Sequence, residues 1–275
     1  MSDQPEQRSR DYLASLFQGD QHAVLAFSGG KDSLVLADLC RPYKDRITLA
    51  WINTGAMFPH MEAFIRGYAA DWQYVEIPSD VRADIAESGW PALMIPAANV
   101  APQHPLEWLA GSVPPALRMQ PWQACCFKSR VLPMLPYIKQ AGVDLVLHGI
   151  RGDEHGGRFK DLEQRGLRLA YPLRGWTEGD VLDYIDRHGI ALPEQYGAGY
   201  ANSLECRCCT AMLDLGDTRW RYMEKHYPAD YEVVRRQAEK INAAVNAELA
   251  EFKEQVGRIL DAGNAEMDGA DAEGG

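Results

Sequence analysis

Residues 28–33 read Ser28-Gly29-Gly30-Lys31-Asp32-Ser33, between the apolar run 22–27 and the helix-like stretch 34–39. A strand, a glycine turn and a helix start in that order aim backbone N–H groups and the positive end of a helix dipole at an anion. Gly29 and Gly30 permit close backbone approach and positive φ, Lys31 adds a cation, and Ser28 and Ser33 offer hydroxyls to phosphate oxygens. The Walker loop is excluded: it needs two glycines four residues apart and then Lys-Ser or Lys-Thr, and here Asp32 follows Lys31. Phosphate holding of another kind is the chemistry implied. The competing reading is an ordinary βα turn whose glycines serve geometry alone.

A second constellation is made of sulfur. Five of the six cysteines fall in two groups, Cys125-Cys126 and Cys206-Arg207-Cys208-Cys209, the latter containing a Cys-x-x-Cys at 206 and 209. A pair plus a Cys-x-x-Cys makes a four-sulfur site that zinc and iron–sulfur clusters both accept. Structural zinc typically uses two pairs spaced by two to four residues, so the adjacent pair fits it poorly. Cys40, near the end of an apolar helix, reads as a buried small hydrophobe.

Positioning these groups requires alternating elements. A short amphipathic helix is expected over 8–17, then strand 22–28, helix 32–40, strand 47–53, helix 60–70 and strand 72–77, a βαβ pattern with a parallel sheet. The ligand site then lies at the carboxyl ends of the strands, where the glycine loop is. Residues 88–123, rich in Pro and Trp, read as an irregular flap. A helix follows over 127–140, an apolar strand over 143–147, a polar loop, an edge strand over 168–173, and a helix N-capped by Thr177 with Glu178 and Asp180 in its first turn. Val234, Ala238, Ile241, Val245, Leu249, Phe252, Val256 and Ile259 recur at spacings of three and four, the stripe of one long helix. That stripe either packs on the parent domain or joins a partner, a homodimer included. The expected organisation is an N-terminal helix over 1–21, a catalytic domain over 22–215, a helical extension over 216–260 and a disordered acidic tail over 261–275.

Composition narrows the setting. The 275 residues are 46% hydrophobic, enough for a full core. No apolar run is long enough to span a membrane, and the first residues are polar and charged where a signal peptide needs an apolar stretch, so a cytoplasmic, membrane-free protein is expected. Net charge is −11; the last fifteen residues hold five carboxylates and no base, leaving −6 for the rest. That acidity opposes non-specific nucleic-acid binding, although Arg151, Arg158, Lys160, Arg165, Arg168 and Arg174 form a local basic run.

The glycine loop resembles the PP-loop of the adenine-nucleotide α-hydrolase superfamily, and the ordered motifs resemble its PAPS/APS reductase family. Asn53-Thr54-Gly55 with Phe58-Pro59 is similar to that family's Asp-Thr-Gly and Phe-Pro signature, and Gly149-Ile150-Arg151-Gly152-Asp153-Glu154 to its Gly-x-Arg-x-x-Glu loop. Tyr171 to Thr177, Gly199-Tyr200 and Cys206 to Thr210 follow in the family's order, so the likeness spans about residues 22–215. The resemblance implies an α/β fold, a doubly wound and mostly parallel twisted sheet with helices on both faces, plus the C-terminal helical extension. It implies that Ser28 to Ser33 hold nucleotide phosphates with Mg²⁺ bridging them, that Asn53, Thr54 and Gly55 line the adenosine pocket, and that Gly149, Arg151 and Arg158 belong to the nucleotide site, the arginines neutralising charge from the opposite strand end. Lys31, Asp32 and Arg151 then carry catalysis. It also implies a 4Fe-4S cluster on Cys125, Cys126, Cys206 and Cys209. Cys208 stands where proline is usual, either a spectator or an extra thiol able to carry sulfur. His148, preceding Gly149, reads as a packed, hydrogen-bonded core histidine rather than a catalyst.

One departure bears on the reaction. Assimilatory reductases of the family end in Glu-Cys-Gly-Leu-His, and here no cysteine follows Cys209. The expectation is therefore an ATP pyrophosphatase that adenylates an acceptor for sulfur transfer, as in phosphorothioation or thiolation, with a sulfur donor such as a cysteine desulfurase and a nucleic-acid acceptor reached through a partner. The alternatives are an APS/PAPS reductase producing sulfite and a nucleotide-sensing binding module.

Overall fold

Strand residues alternate between two apolar faces, and two layers of helix cover them. In the computed structural model, which describes residues 3–96, 99, 116–155, 161–164, 166–200, 206–211 and 218–270, the chain begins with α1 (Asp3–Leu16), β1 (Ala23–Ala26), α2 (Lys31–Leu39), a 3-10 turn (Arg41–Arg46) and β2 (Ile47–Asn53). It continues through α3 (Pro59–Ala69), β3 (Gln73–Pro78), α4 (Val81–Ser88), β4 (Trp90–Ala92) and β5 (Met119–Pro121). Then come α5 (Trp122–Cys126), a π-helical turn (Phe127–Val131), α6 (Met134–Ala141), β6 (Leu145–His148), β7 (Leu162–Gln164) and β8 (Leu167–Ala170). Four helices close the chain: α7 (Glu178–His188), α8 (Glu194–Gly197), α9 (Thr218–His226) and α10 (Pro228–Ala270).

The main sheet runs β3-β2-β1-β6-β8-β7, parallel throughout except for the antiparallel β7–β8 pair. On one face Leu25, Leu49, Trp51, Leu145 and Leu147 pack against α1, α2, α3 and α7 through Leu13, Leu36, Ile65 and Tyr184. Val24, Ala50, Ile52, Ile77 and Val146 point the other way, onto Met134 and Ile138 of α6. The two-residue period of a strand puts neighbours on opposite faces, so a sheet whose strands are apolar at nearly every position is buried on both. This is the doubly wound α/β architecture implied by the alternation of elements. Strand order reverses between β1 and β6, and the loops that follow these two strands flank the resulting crevice.

Several expectations need correction. The strand expected at the sheet edge over 168–173 is β8, and it is internal; the edge is β7, added by a hairpin turning at Gly166, whose φ is +78°. A single helix over 127–140 is replaced by α5, the π turn and α6, because Pro133 has no N–H to continue the ladder. The irregular segment 88–123 contains β4 and β5, paired in parallel as a separate two-stranded sheet; residues 97, 98 and 100–115 of that segment lie outside the described residues. α10 runs to Ala270, into the stretch expected to be a disordered tail. Thr177 caps α7 as expected, in a reciprocal capping box with Asp180. No helix among the described residues is long and apolar enough to cross a membrane.

Candidate functional site

The glycine loop leaves β1 and enters α2 at Lys31. Gly29 has φ +72°, and a Cβ there would sit 2.6 Å from Cγ1 of Ile65 on α3, so both conformation and space demand glycine. Gly30, also expected to adopt positive φ, instead has φ −78° and serves as the extended N-cap of α2. The loop is braced internally: the Gly30 N–H donates to Ser28 Oγ at 3.3 Å, Ser33 Oγ donates to the Gly30 carbonyl at 2.9 Å, and the two serine hydroxyls are 3.2 Å apart. The Lys31 N–H donates to the Tyr196 hydroxyl at 3.1 Å. Burial, followed by smaller effects of nearby charges, raises the Tyr196 phenol to about 12, so it remains a neutral cap that an anion could displace.

Across the crevice, the loop after β6 comes so close that a Cβ on Gly149 would lie 3.1 Å from the Asp32 carbonyl carbon. Arg151 follows. Its side chain is buried and pairs with Asp32, with Asp153 at 3.0 Å and with Glu154 at 3.1 Å. It is therefore no surface ion pair. Lys31, also buried, reaches Glu178 at 3.1 Å and Asp32 at 3.4 Å. Two cations thus face four carboxylates across the crevice, a surplus of negative charge that an anionic ligand meets more easily with a divalent cation. Arg158 lies outside the described residues, as do Lys160 and Arg165.

The Asn53-Thr54-Gly55 turn closes β2. Asn53 Nδ2 donates to Glu76 at 2.8 Å, and its Oδ1 accepts from the Gly55 N–H at 3.0 Å, holding Gly55 at φ +69°. Arg66 and Asn53 together hold the Glu76 carboxyl down at about 2, although burial works the other way. Thr54 is buried and its hydroxyl meets Cys206 Sγ at 3.3 Å. This is the link between crevice and sulfur.

Cys125, Cys126, Cys206, Cys208 and Cys209 line one narrow cavity with Val81, Ile85 and Tyr200. The turn holding the last three is fastened at several points. The Arg207 N–H donates to the Ala56 carbonyl at 2.7 Å, Arg207 Nε to the Met57 carbonyl at 2.9 Å, and Thr210 Oγ1 to the Pro91 carbonyl at 2.6 Å. The buried Arg219 guanidinium donates to the carbonyls of Cys206 and Cys209 at 2.9 and 3.1 Å. Burial pushes the Cys125 thiol up to about 12, with the Asp84 charge adding to it. A cluster's positive irons would reverse that preference, because bound thiols are deprotonated.

The donor set and the shared cavity therefore fit a four-thiolate cluster on Cys125, Cys126, Cys206 and Cys209. Among the described residues, no three His, Cys, Asp or Glu side chains already converge as a metal cage. On its outer side Cys208 lines a second cavity of about 750 Å³ with Arg82, Arg118, Arg207 and Lys240.

Sequence reasoning missed the parts that Tyr196, Glu178, Arg207 and Arg219 play at the site. None carries a local signal, since each acts on a backbone or charge that is distant in sequence. Cys40 is fully buried, its thiol pushed up by burial alone. His148 stacks on Tyr171 at 5.7 Å, packed as expected, and burial holds it down at about 4, so it is neutral.

The residues that carry this loop and cysteine turn fall within a known protein family. The model of the phosphoadenosine phosphosulfate reductase domain matches residues 22–212. The adenosine 5′-phosphosulfate reductase of Geobacillus thermodenitrificans is 27% identical over 227 residues, 79% of this chain and 86% of that protein. The corresponding reductase of Deinococcus radiodurans is 24% identical over 216 residues, 78% of this chain and 76% of its own. Among solved structures, the phosphoadenylyl-sulfate reductase of Candida auris in its phosphate complex superposes with a TM-score of 0.48 at 18% identity, covering 74% of this chain and 87% of that one. With the domain match spanning both the glycine loop and the cysteine turn, this chain belongs to the phosphoadenosine phosphosulfate reductase family.

Proposed function

We propose that the chain acts on a sulfonucleotide of the adenosine 5′-phosphosulfate class, with the phosphate at the Ser28–Ser33 loop and the sulfur toward the cysteine cavity. The observation that carries this reading is the contact between Thr54, in the turn after β2, and Cys206, which brings the turn beside the crevice against the cysteine cavity. The names of the 24–27% identical relatives support sulfonucleotide reduction over the adenylating chemistry expected from sequence.

In this reading the loop N–H groups, Lys31 and Arg151 neutralise the nucleotide phosphate. A thiolate attacks the sulfate sulfur, the S–O bond to the nucleotide breaks, and AMP leaves with the electron pair. A second thiolate then attacks the thiol-derived sulfur of the resulting S-sulfo adduct, the S–S bond to the sulfo group breaks with its electron pair on the departing sulfite, and a disulfide is left; two thiols are oxidised as the sulfate sulfur is reduced. Residues 210–275 hold no cysteine. In this proposal the attacking thiol is Cys208, which lines the basic 750 Å³ cavity, or an external thiol entering that cavity. Cys125, Cys126, Cys206 and Cys209 would hold the iron–sulfur cluster, which would supply a redox-active centre.

A second reading is ATP pyrophosphatase chemistry feeding sulfur to an acceptor. The carboxylate surplus around Lys31 and Arg151 favours it, because a magnesium–triphosphate complex tolerates such a site better than a lone sulfonucleotide does. Anaerobically purified chain, given the sulfonucleotide with a dithiol or ATP with magnesium, separates the two. Equal amounts of sulfite and AMP are expected from the first mixture. Pyrophosphate and AMP from ATP, with no sulfite from the sulfonucleotide, would overturn the reductase reading in favour of the second.

A further inference from the structure

We infer that α10 pairs with the same helix of a second copy as a parallel two-stranded coiled coil over residues 242–259. The helix has two unequal parts. Its first turns are packed on the domain: Val234 is buried, and Tyr231 meets Trp220 of α9 edge-on at 5.8 Å. Beyond about residue 240 the same apolar stripe runs on, with Val245 and Val256 half-buried and its three largest side chains exposed. Leu249 is 37% exposed, Phe252 60% and Ile259 70%. A solitary helix of this length gains little from propensity alone and owes its stability to burial of an apolar face.

The spacing identifies what covers that face. Val245, Leu249, Phe252, Val256 and Ile259 are separated by four, three, four and three residues, a strict 3.5 repeat and the mark of a left-handed coiled-coil seam rather than of packing on a globular core. In that repeat Leu249 and Val256 occupy the first seam position of the heptad, and Val245, Phe252 and Ile259 the second. The apolar set does not select a strand number. Asn242 does, because it falls on the first seam position one heptad before Leu249, where a buried asparagine pairs with its own copy in a parallel dimer.

Charge points to the same partner. Glu248 precedes the first seam position and Lys253 follows the second, so in a parallel homodimer each Glu248 faces the other copy's Lys253. An antiparallel arrangement would set Asn242 against an apolar residue and lose both matches. A seam of about two and a half heptads, roughly 27 Å at 1.5 Å per residue, makes a short coil whose dimer dissociates on dilution. The inference stands apart from the substrate assignment, since it uses no residue of the crevice or the cysteine cavity.

Sedimentation of the whole chain from about 1 to 100 µM is expected to shift from monomer to dimer mass. Phe252→Asp is expected to weaken the dimer by about 100-fold and to lower helical content with it, while leaving nucleotide binding unchanged. Asn242→Cys, oxidised gently and mapped by peptide mass, is expected to give a 242–242 disulfide, which only parallel strands in register allow. A monomer at every concentration, a dimer untouched by Phe252→Asp, or a dimer in which Asn242→Cys fails to cross-link would each overturn the proposal.

Discussion

The Thr54 hydroxyl and the Cys206 thiol lie 3.3 Å apart although 152 positions separate them in the chain. A turn that closes a sheet strand thereby sets the position of a cysteine expected to carry a cluster. Thr54→Val keeps shape and removes the hydroxyl, and a neutral hydrogen bond is worth about 1 kcal/mol. Turnover is expected to fall about fivefold at unchanged nucleotide affinity, which steady-state kinetics beside a binding titration would resolve. A loss confined to affinity would place Thr54 in the nucleotide pocket instead.

Arg151 stands between three carboxylates. Arg151→Met leaves Asp32, Asp153 and Glu154 to repel one another, and removing one partner of a buried ion pair costs about 3 kcal/mol or more. Melting temperature and nucleotide affinity are both expected to drop, while Arg151→Lys keeps the fold but weakens binding about tenfold through loss of the planar fork. Calorimetry on the two variants distinguishes these outcomes from a dispensable surface pair, for which neither quantity would move.

Gly29→Ala meets two obstacles at once, a φ of +72° and a 2.6 Å contact with Ile65. The left-handed conformation alone costs about 1 kcal/mol. Pairing the change with Ile65→Val opens space without relieving φ, so a denaturation double-mutant cycle is expected to recover part of the loss and never all of it. Full recovery would show that crowding alone selects glycine.

His148 titrates at about 4 in the folded chain and at its usual 6.5 when unfolded, because burial disfavours the imidazolium. Its native form is neutral, so the unfolded state binds the extra proton first. Its contribution to stability is complete above pH 6.5 and is lost progressively as the pH falls toward 4. Urea midpoints measured across that window are expected to decline, and His148→Gln is expected to flatten the decline. An equal slope in the variant would assign the acid sensitivity elsewhere.

The cysteines divide by role. Anaerobic protein is expected to be brown with about four irons per chain, and Cys206→Ser to abolish that content. Cys208→Ser is expected to keep the iron and to alter only thiol chemistry. A colourless chain with one zinc would overturn the cluster assignment.

The sequence exposed what depends on neighbours along the chain. The cap at Thr177, the bounds of β2 and the glycine loop all arise from residues within a few positions of each other, so propensity and spacing were enough. Arg219 could not be found this way: its partners are carbonyls, which every residue has. Tyr196 was equally silent, since its role is set by where α8 ends up rather than by what surrounds it in sequence. The π turn at Phe127 escaped notice because its cause, a proline two residues beyond it, reads equally well as the start of a new helix.

Asp32 and Arg151, joined across the crevice, are 119 residues apart. During synthesis the first half of the crevice emerges early and waits for the second, and loop closure over such a distance is entropically slow to recoup. Until β6 inserts beside β1 the glycine loop has no opposing wall. The growing chain therefore acquires its affinity for nucleotide late and in a single step, and nucleotide in the surroundings favours the completed sheet over every earlier intermediate by mass action.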